Sequence, residues 1–501
     1  MLGELPSICA VVTAIGLVTV AQLRDPKTDQ GARWASQRDL QTLRLRRLSE
    51  VARAAWRGRG GGRAGTGRLV LGRYRGRLLY AERRHALVAF GPPQSGKSAG
   101  LAIPALLEWS GPAVASSIKT DLLSATLTRR RQLGEALIFD PFGLSGLPSH
   151  TWSPLRAAVT WDGALEVAWR LACAGELDQR GVEGGDFWAI AAEQRLAPLL
   201  YVASRIGANI EQVVAWTYGQ GARELDSSLD TVLARSADAN ESRDAHAAYD
   251  AVRAFEAQAD RTRSSIEATA QALLRAYRFT RVARSAMGSE ITPERLLSSG
   301  ATLYLIGDAK ASKLLRPIFV ALLSEVIDAA YALANEHDGR LPRPLLVCLD
   351  EAGNVAPLPN LAEIASTAPS HNIQLISIFH DLAQARSRYR GQAETVVNSH
   401  RARMLLPGVA DLETLRYFSG LVGEQERREL TRTVGRGGAT RATTRRRTLL
   451  ISPEALRQLP DGHALLLYGR LAPATVRLRT WFKDPGLRRL VGRIAPPGRG
   501  Q

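Results

Sequence analysis

The stretch FGPPQSGKSAG, residues 90–100, lies between two apolar runs, HALVAF before it and LAIPALL after it. It reads G-x-x-x-x-G-K-S from Gly91 to Ser98. Nothing else in the chain constrains the fold as strongly. The glycines let the backbone turn so that successive N–H groups point inward, and a helix opening near Lys97 adds its positive end, which suits phosphate. The pattern alone is loose, but here a strand pattern precedes it and a helix pattern follows, the context that gives it meaning. On this reading Gly91, Pro92, Pro93, Gln94, Ser95, Gly96, Lys97, Ser98 and Ala99 wrap the phosphates of ATP. Lys97 reaches the β- and γ-phosphates, and the Ser98 hydroxyl coordinates Mg²⁺.

A phosphate loop needs an acid near the metal. PLLVCLDE, residues 344–351, is an apolar run that ends in Asp350 and Glu351. Asp350 is expected to hold Mg²⁺ through its water shell, and Glu351 to polarise the attacking water. The plainer reading, a strand that simply ends at a turn, loses ground because the phosphate loop lies about 250 residues earlier. Asp121 and Asp140 also end apolar runs and are read as structural or as outer metal contacts.

Strand and helix patterns alternate around the loop. HALVAF, GPAVASSI and EALIFDP read as strands, with SAGLAIPALLEW and KTDLLSATLTRRRQL as helices between them and Pro104 as a local defect. That alternation implies an α/β fold with parallel crossovers and a sheet covered on both faces. From 163 to 290 the apolar spacing turns helical throughout, as in FWAIAAEQRLAPLLYVASRIG, and implies an all-α insertion. Strands return at GATLYLIGD, RPLLVCLDE, IQLISIF, ARMLLPG and GHALLLYGR. The division expected is 1–24 membrane anchor, 25–84 basic juxtamembrane segment, 85–162 and 291–485 the two parts of a nucleotide-binding domain, 163–290 the helical domain and 486–501 a basic tail. The basic stretch 431–448 reads as a mobile surface loop.

Residues 5–23 carry no charge and as a helix would span about 28 Å, close to a bilayer's hydrocarbon core. Basic residues gather directly after them, which favours a single membrane pass with the body in the cytoplasm; a signal peptide or a buried helix are the rivals. Residues 24–84 hold seventeen Lys and Arg against five Asp and Glu, and the whole chain carries a formal charge of +18. Such a surface attracts nucleic acid or anionic headgroups, although a coding bias toward Arg, Ala and Gly produces the same excess. Cys9, Cys173 and Cys348 form no metal spacing or disulfide framework, and the eight histidines show no ligand spacing.

Taken in order, these motifs resemble the type IV coupling proteins of conjugation and type IV secretion, the TraG/TraD-like ATPases, in an actinobacterial form. The resemblance rests on GARWASQRDL, FGPPQSGKS, SSIKTDLLSAT, IFDPFG with WSPL, DFWAIAAEQRLAPLLY, LLVCLDEAGNVAPLPNLAEIASTA and VVNSHRARMLLPGVADLETLRYFSGLVG, spread over nearly the whole chain. It implies a RecA/FtsK-like P-loop NTPase domain with a central, mostly parallel sheet, plus an all-α domain that meets relaxosome proteins or substrate. It implies a homo-oligomeric, hexameric ring at the inner (cytoplasmic) membrane, which hands single-stranded DNA with its relaxase to the channel components of the secretion system. Basic residues in a ring lumen would track DNA without reading sequence.

Three departures stand beside it. The family usually has two N-terminal membrane helices, and only one candidate is visible. An arginine often follows the second motif and acts on a neighbour's nucleotide; here STAPSHNIQ places Pro369 and Ser370 there, with Arg386, Arg388, Arg390, Arg401 and Arg403 as possible substitutes. The glutamine often found after the next strand is His380, a γ-phosphate sensor candidate whose bland alternative is a structural hydrogen bond; Gln384 keeps a later glutamine. The function expected is an ATPase that couples hydrolysis to DNA transfer. A coupling protein for protein substrates alone and a nucleotide-binding docking adaptor with weak turnover are the alternatives.

Overall fold

The apolar runs around the glycine loop become neighbouring strands of one sheet. The computed structural model describes residues 31–45, 67–174, 185–435 and 438–491. Thirteen strands appear among them: β1 Val70–Tyr74, β2 Arg77–Tyr80, β3 Leu87–Phe90, β4 Ala113–Ser117, β5 Ala136–Phe139, β6 Thr302–Ile306, β7 Leu345–Leu349, β8 Ile373–Phe379, β9 Ala402–Leu405, β10 Glu424–Gly435, β11 Gly438–Leu449, β12 His463–Tyr468 and β13 Ala474–Arg477. Eleven form one sheet in the order β2-β1-β13-β12-β9-β3-β8-β7-β4-β6-β5. From β9 to β5 every pairing is parallel, and β12, β13, β1 and β2 extend the β9 edge in antiparallel fashion.

The central strands β3, β8, β7 and β4 are buried along their whole length because both faces are covered, and β3 and β7 are apolar throughout. Side chains alternate between the faces: Val88 and Phe90 enter one core, while Leu87 and Ala89 enter the other. The same alternation separates Val347 from Leu346 and Cys348. Between β5 and β6 the described residues are helical, from Trp161–Cys173 through Gly185–Arg205, Ile210–Thr217, Ala222–Arg235, Ala239–Glu256 and Asp260–Leu274. Apart from a small cluster of Ala191, Phe255 and Ile266, these helices share the core of the sheet. Trp216, Leu200 and Val252 belong to the same apolar cluster as Phe90, Val347 and Phe379 of the sheet.

The helix Ala309–Asn335 joins the two regions. It is the one described helix long and apolar enough to cross a membrane. Its Leu315, Ile318, Phe319, Leu322, Leu323 and Val326 are buried against the sheet and the helical region instead. One acid within it, Glu325, is buried and matched by Trp152 Nε1 at 2.7 Å and Arg156 Nη2 at 2.8 Å. The uncharged segment 5–23 lies outside the described residues.

Three expectations are corrected. Residues 67–84 are not merely a leader: β1 and β2 form a hairpin on the antiparallel edge, with Leu69, Leu71 and Leu79 buried. The described part of the stretch 431–448, residues 431–435 and 438–448, is strand rather than loop. With 424–430 it forms β10 and β11, paired antiparallel from Glu424↔Leu449 to Gly435↔Gly438. Threonine, valine and leucine at intervals supply the β preference that its charge obscures. The supposed tail from 486 begins within the helix Pro485–Val491, whose Leu487 and Val491 are buried beside the first helix after the loop.

Two buried polar side chains away from the loop, Arg130 and His400, are matched by fixed partners. Arg130, one of three consecutive arginines, is fully buried and donates to Thr302 Oγ1 at 2.6 Å and to the carbonyls of Trp109, Gly111 and Gly300. His400 lies in front of β9. Its Nδ1 donates to Val396 O at 2.7 Å, so Nε2 accepts from Ser377 Oγ at 3.0 Å. Burial pushes the His400 imidazole down to about 4. Below pH 6.5 an unfolded chain gains a proton here that the folded chain refuses, so stability is lost as pH falls from 6.5 toward 4. The loss is on the order of 3 kcal/mol. Chemical denaturation across this range is expected to show that slope, and His400→Gln to flatten it; an unchanged slope would refute the assignment.

Candidate nucleotide site

The parallel strands all end on one edge of the sheet, where ligands of α/β folds bind. β3 leads there into Gly91, β4 into Ile118 and Lys119, β7 into Asp350 and Glu351, and β8 into His380. β8 separates β3 from β7, so His380 lies between the glycine loop and the two acids.

The loop's shape depends on two glycines. A Cβ on Gly91 would lie 2.5 Å from Ser95 Oγ and 3.1 Å from Leu406 Cβ. Gly96 has φ +86°, a left-handed backbone that other side chains resist. Gln94 adopts φ 66° beside it. Gly91 N–H donates to Phe379 O at 3.1 Å and pins the loop's start to β8. Ser98–Ala102 is a π-turn that passes directly into the α-helix Ile103–Glu108, and Pro104 sits where the wider turn gives way to the α-helix.

Lys97 is buried and folds back over the loop. Its Nζ donates to Gly91 O at 2.9 Å and to His380 Nδ1 at 2.8 Å, and lies 3.8 Å from Glu351 Oε1. Because His380 Nδ1 accepts, Nε2 carries the ring proton and faces Glu351 Oε2 at 3.1 Å. Asn354 Nδ2 donates to the same oxygen at 2.9 Å. Gln384 Oε1 accepts from the His380 backbone N–H at 2.8 Å, so the later glutamine holds the histidine's backbone. Ser98 Oγ donates to Asp350 Oδ2 at 2.6 Å.

Burial lowers Lys97, with Glu351 and Asp350 opposing it. Burial would raise Glu351, yet the His380 hydrogen bond, the Lys97 charge and Asn354 together hold it below the usual range, so it is ionised at neutral pH. Asp350 is pushed up to about 7, mainly by burial, against the Ser98 hydrogen bond and Lys97. Its Oδ1 is buried with no hydrogen-bond partner, as is Ser95 Oγ inside the loop. An acceptor-only oxygen without a donor, beside a serine hydroxyl, is what a divalent cation and its waters would satisfy. The residues therefore fit Mg²⁺ with a phosphate.

These groups line a cleft of about 530 Å³, within the usual range for a small-molecule site. The sequence-derived residues Pro93 to Ser98, Ala99, Asp350, Glu351 and His380 line it, and Gly91 with Pro92 forms the loop's root. Asp121 also faces the cleft, whereas Asp140 accepts from Leu144 N and Ser145 N and holds its own loop. Residues that sequence reasoning missed are Lys119, Asp461, Thr480, Phe482 and Lys483. Pro369 and Ser370 sit before β8, at the opposite end of the strand from His380, roughly 20 Å away at ~3.3 Å per residue. Arg386 is paired with Glu394 and Glu413, and Arg403 with the carbonyls of Val397 and Asn398.

A family model described as Type IV secretory system Conjugative DNA transfer matches residues 33–495. The chain belongs to that family. Among relatives, it is 24% identical over 370 residues to the conjugal transfer protein TraG of Escherichia coli, covering 69% of this chain and 56% of the relative. It is 21% identical over 479 residues to the protein VirD4 of Rhizobium radiobacter, covering 95% of this chain and 67% of that one. The fold is that of a bacterial conjugative coupling protein, TrwBΔN70, with a TM-score of 0.62 at 20% identity over 81% of this chain and 87% of that chain. A TrwB structure in complex with ADP and Mg²⁺ matches with a TM-score of 0.59 at 19% identity, over 80% and 87% of the two chains. These similarities to the family are spread along the chain rather than concentrated in the glycine loop.

Proposed function

We propose that this protein is an ATPase that couples hydrolysis to the transfer of single-stranded DNA, or of a relaxase–DNA complex, to a type IV secretion channel. The observation that carries the reading is the convergence of Lys97, Ser98, Asp350, Glu351 and His380, from three separate segments, on one cleft. Membership of a conjugative DNA transfer family and a TrwB-like fold, seen in TrwB with ADP and Mg²⁺, support it. The body acts at the cytoplasmic face of the inner membrane, tethered through residues 5–23, as a hexameric ring.

Mg²⁺ bound with ATP supplies the Lewis acidity that neutralises charge on the β- and γ-phosphates. The chain's own residues do the rest. Loop N–H groups hold the phosphates in place, and Lys97, released from Gly91 O, offers its ammonium to them. Ser98 and Asp350 would hold the cation. Glu351, kept ionised by His380 and Asn354, accepts a hydrogen bond from the attacking water and orients it. His380 reports on the same region, because its ring touches both Lys97 and Glu351. The segment before β8 lies too far from this cleft to act on it, so a residue there would serve a neighbouring chain's site.

The test is ATP turnover of the full-length protein in membranes. Single-stranded DNA is expected to raise turnover several-fold, with an effect that falls steeply with salt as phosphate contacts are screened. Stimulation by substrate proteins alone would favour a protein-coupling role. No turnover in the assembled state would favour the docking adaptor, for which Pro369 and His380 at the places of the family's arginine and glutamine speak.

A further inference from the structure

The segment 478–484, LRTWFKD, leaves β13 and lies against the glycine loop. β13 is antiparallel to β12, which is antiparallel to β9. β13 therefore runs with β3, and its end emerges on the same sheet edge as the loop. In the sheet order, β8 and β7 with His380 and the acids lie on one side of β3, and β9, β12 and β13 lie on the other. A nucleotide whose terminal phosphate faces Glu351 must extend its base away from β7 and β8, toward this segment.

The segment is fixed at both ends. Trp481 N–H donates to Ala99 O at 3.0 Å, and Leu478 N–H donates to Gly462 O at 2.7 Å. Leu478 fills the space over Gly100, where a Cβ would come within 3.1 Å of it. Arg479 is buried and clamps both oxygens of Glu108 at 2.7 and 2.8 Å and Asp484 at 3.0 Å. Lys483 and Asp484 donate backbone N–H groups to Thr480 O, closing a turn. Within this rigid turn Phe482 is 49% exposed, although it lines the cleft. It meets Trp481 in a T-shaped contact, with ring centroids 5.6 Å apart, and Lys483 Nζ stands over its ring 6.0 Å from the centroid.

We propose that Phe482 is the stacking platform for the base of the bound nucleotide, a reading that rests on the nucleotide assignment above. The ring is presented on a braced backbone, so little ordering is lost when a base stacks on it. Aromatic stacking accepts any base face, so the platform adds affinity with little base selectivity.

The test compares two ligands by calorimetry with Mg²⁺, using the full chain. ATP carries a base, and inorganic triphosphate does not. Phe482→Ala is expected to weaken ATP about tenfold or more, to leave triphosphate binding unchanged, and to leave GTP weakened in parallel with ATP. Phe482→Trp restores affinity, and Phe482→Leu, which keeps bulk but lacks a π-face, does not. Unchanged ATP binding in Phe482→Ala overturns the proposal and leaves the nucleotide site intact. Equal weakening of ATP and triphosphate overturns it in favour of a structural role. If the parent protein binds neither ligand, the nucleotide reading itself fails.

Discussion

Glu351→Gln is expected to lower ATP turnover on the order of a thousandfold while leaving Mg²⁺–ATP binding within a few-fold of the parent. Glu351 is held ionised by His380 Nε2, by Asn354 Nδ2 and by the Lys97 ammonium. A glutamine has nearly the same shape and keeps an oxygen for Asn354, but it cannot take a proton or strongly polarise a water. Loss of a positioned base typically costs 10²–10⁴-fold. On the proposed assignment, binding rests on other groups, the loop amides, Lys97, Ser98 and Asp350, so the affinity survives. Single-turnover hydrolysis and nucleotide binding, measured on the same preparation, separate the two effects. Equal loss of both would mean that Glu351 supports the loop rather than the chemistry.

The sequence carried the groups that follow strands directly, and lost those delivered by distant pairing. Lys97, Ser98, Asp350 and Glu351 stand in short contiguous patterns whose chemistry is local. His380 was visible as the residue after an apolar strand, but its dual contact with Lys97 and Glu351 depends on β8 lying between β3 and β7, which no single segment encodes. Phe482 and Thr480 reach the cleft only because two antiparallel turns bring β13 back along β3. The edge hairpin 70–80 was hidden by its arginines and glycines, and β10 and β11 by their charge. The helix Ala309–Asn335 shows the opposite ambiguity. Its composition suits a bilayer as well as a core, and only its burial between sheet and helices decides.

Asp350 offers the sharper test of the metal. With no cation, its carboxylate is buried, one oxygen lacks a partner, and its pKa is pushed up to about 7. The folded chain thus holds a proton that the unfolded chain releases near pH 4. Stability from this group is complete below that pH and is lost as pH rises through 7. Keeping the carboxylate ionised at pH 8 costs on the order of 4 kcal/mol. Asp350→Asn removes that charge but leaves a buried amide short of a partner, a cost of about 1–3 kcal/mol. The nucleotide-free variant is therefore expected to be more stable than the parent at pH 8, by on the order of 2 kcal/mol, and to show no advantage at pH 5. Mg²⁺–ATP should reverse the order. The parent gains stability from the ligand in proportion to its affinity, whereas the variant has lost the acid that holds the cation with Ser98. Thermal melting at the two pH values, with and without Mg²⁺–ATP, reads all four states. A variant that melts lower at pH 8 without ligand would refute the cost of the buried charge, and one that gains as much as the parent from Mg²⁺–ATP would remove Asp350 from the metal site. A crossing of the two curves would instead mean that the buried acid is destabilising until the cation arrives, and that the site is folded around a charge it does not itself neutralise.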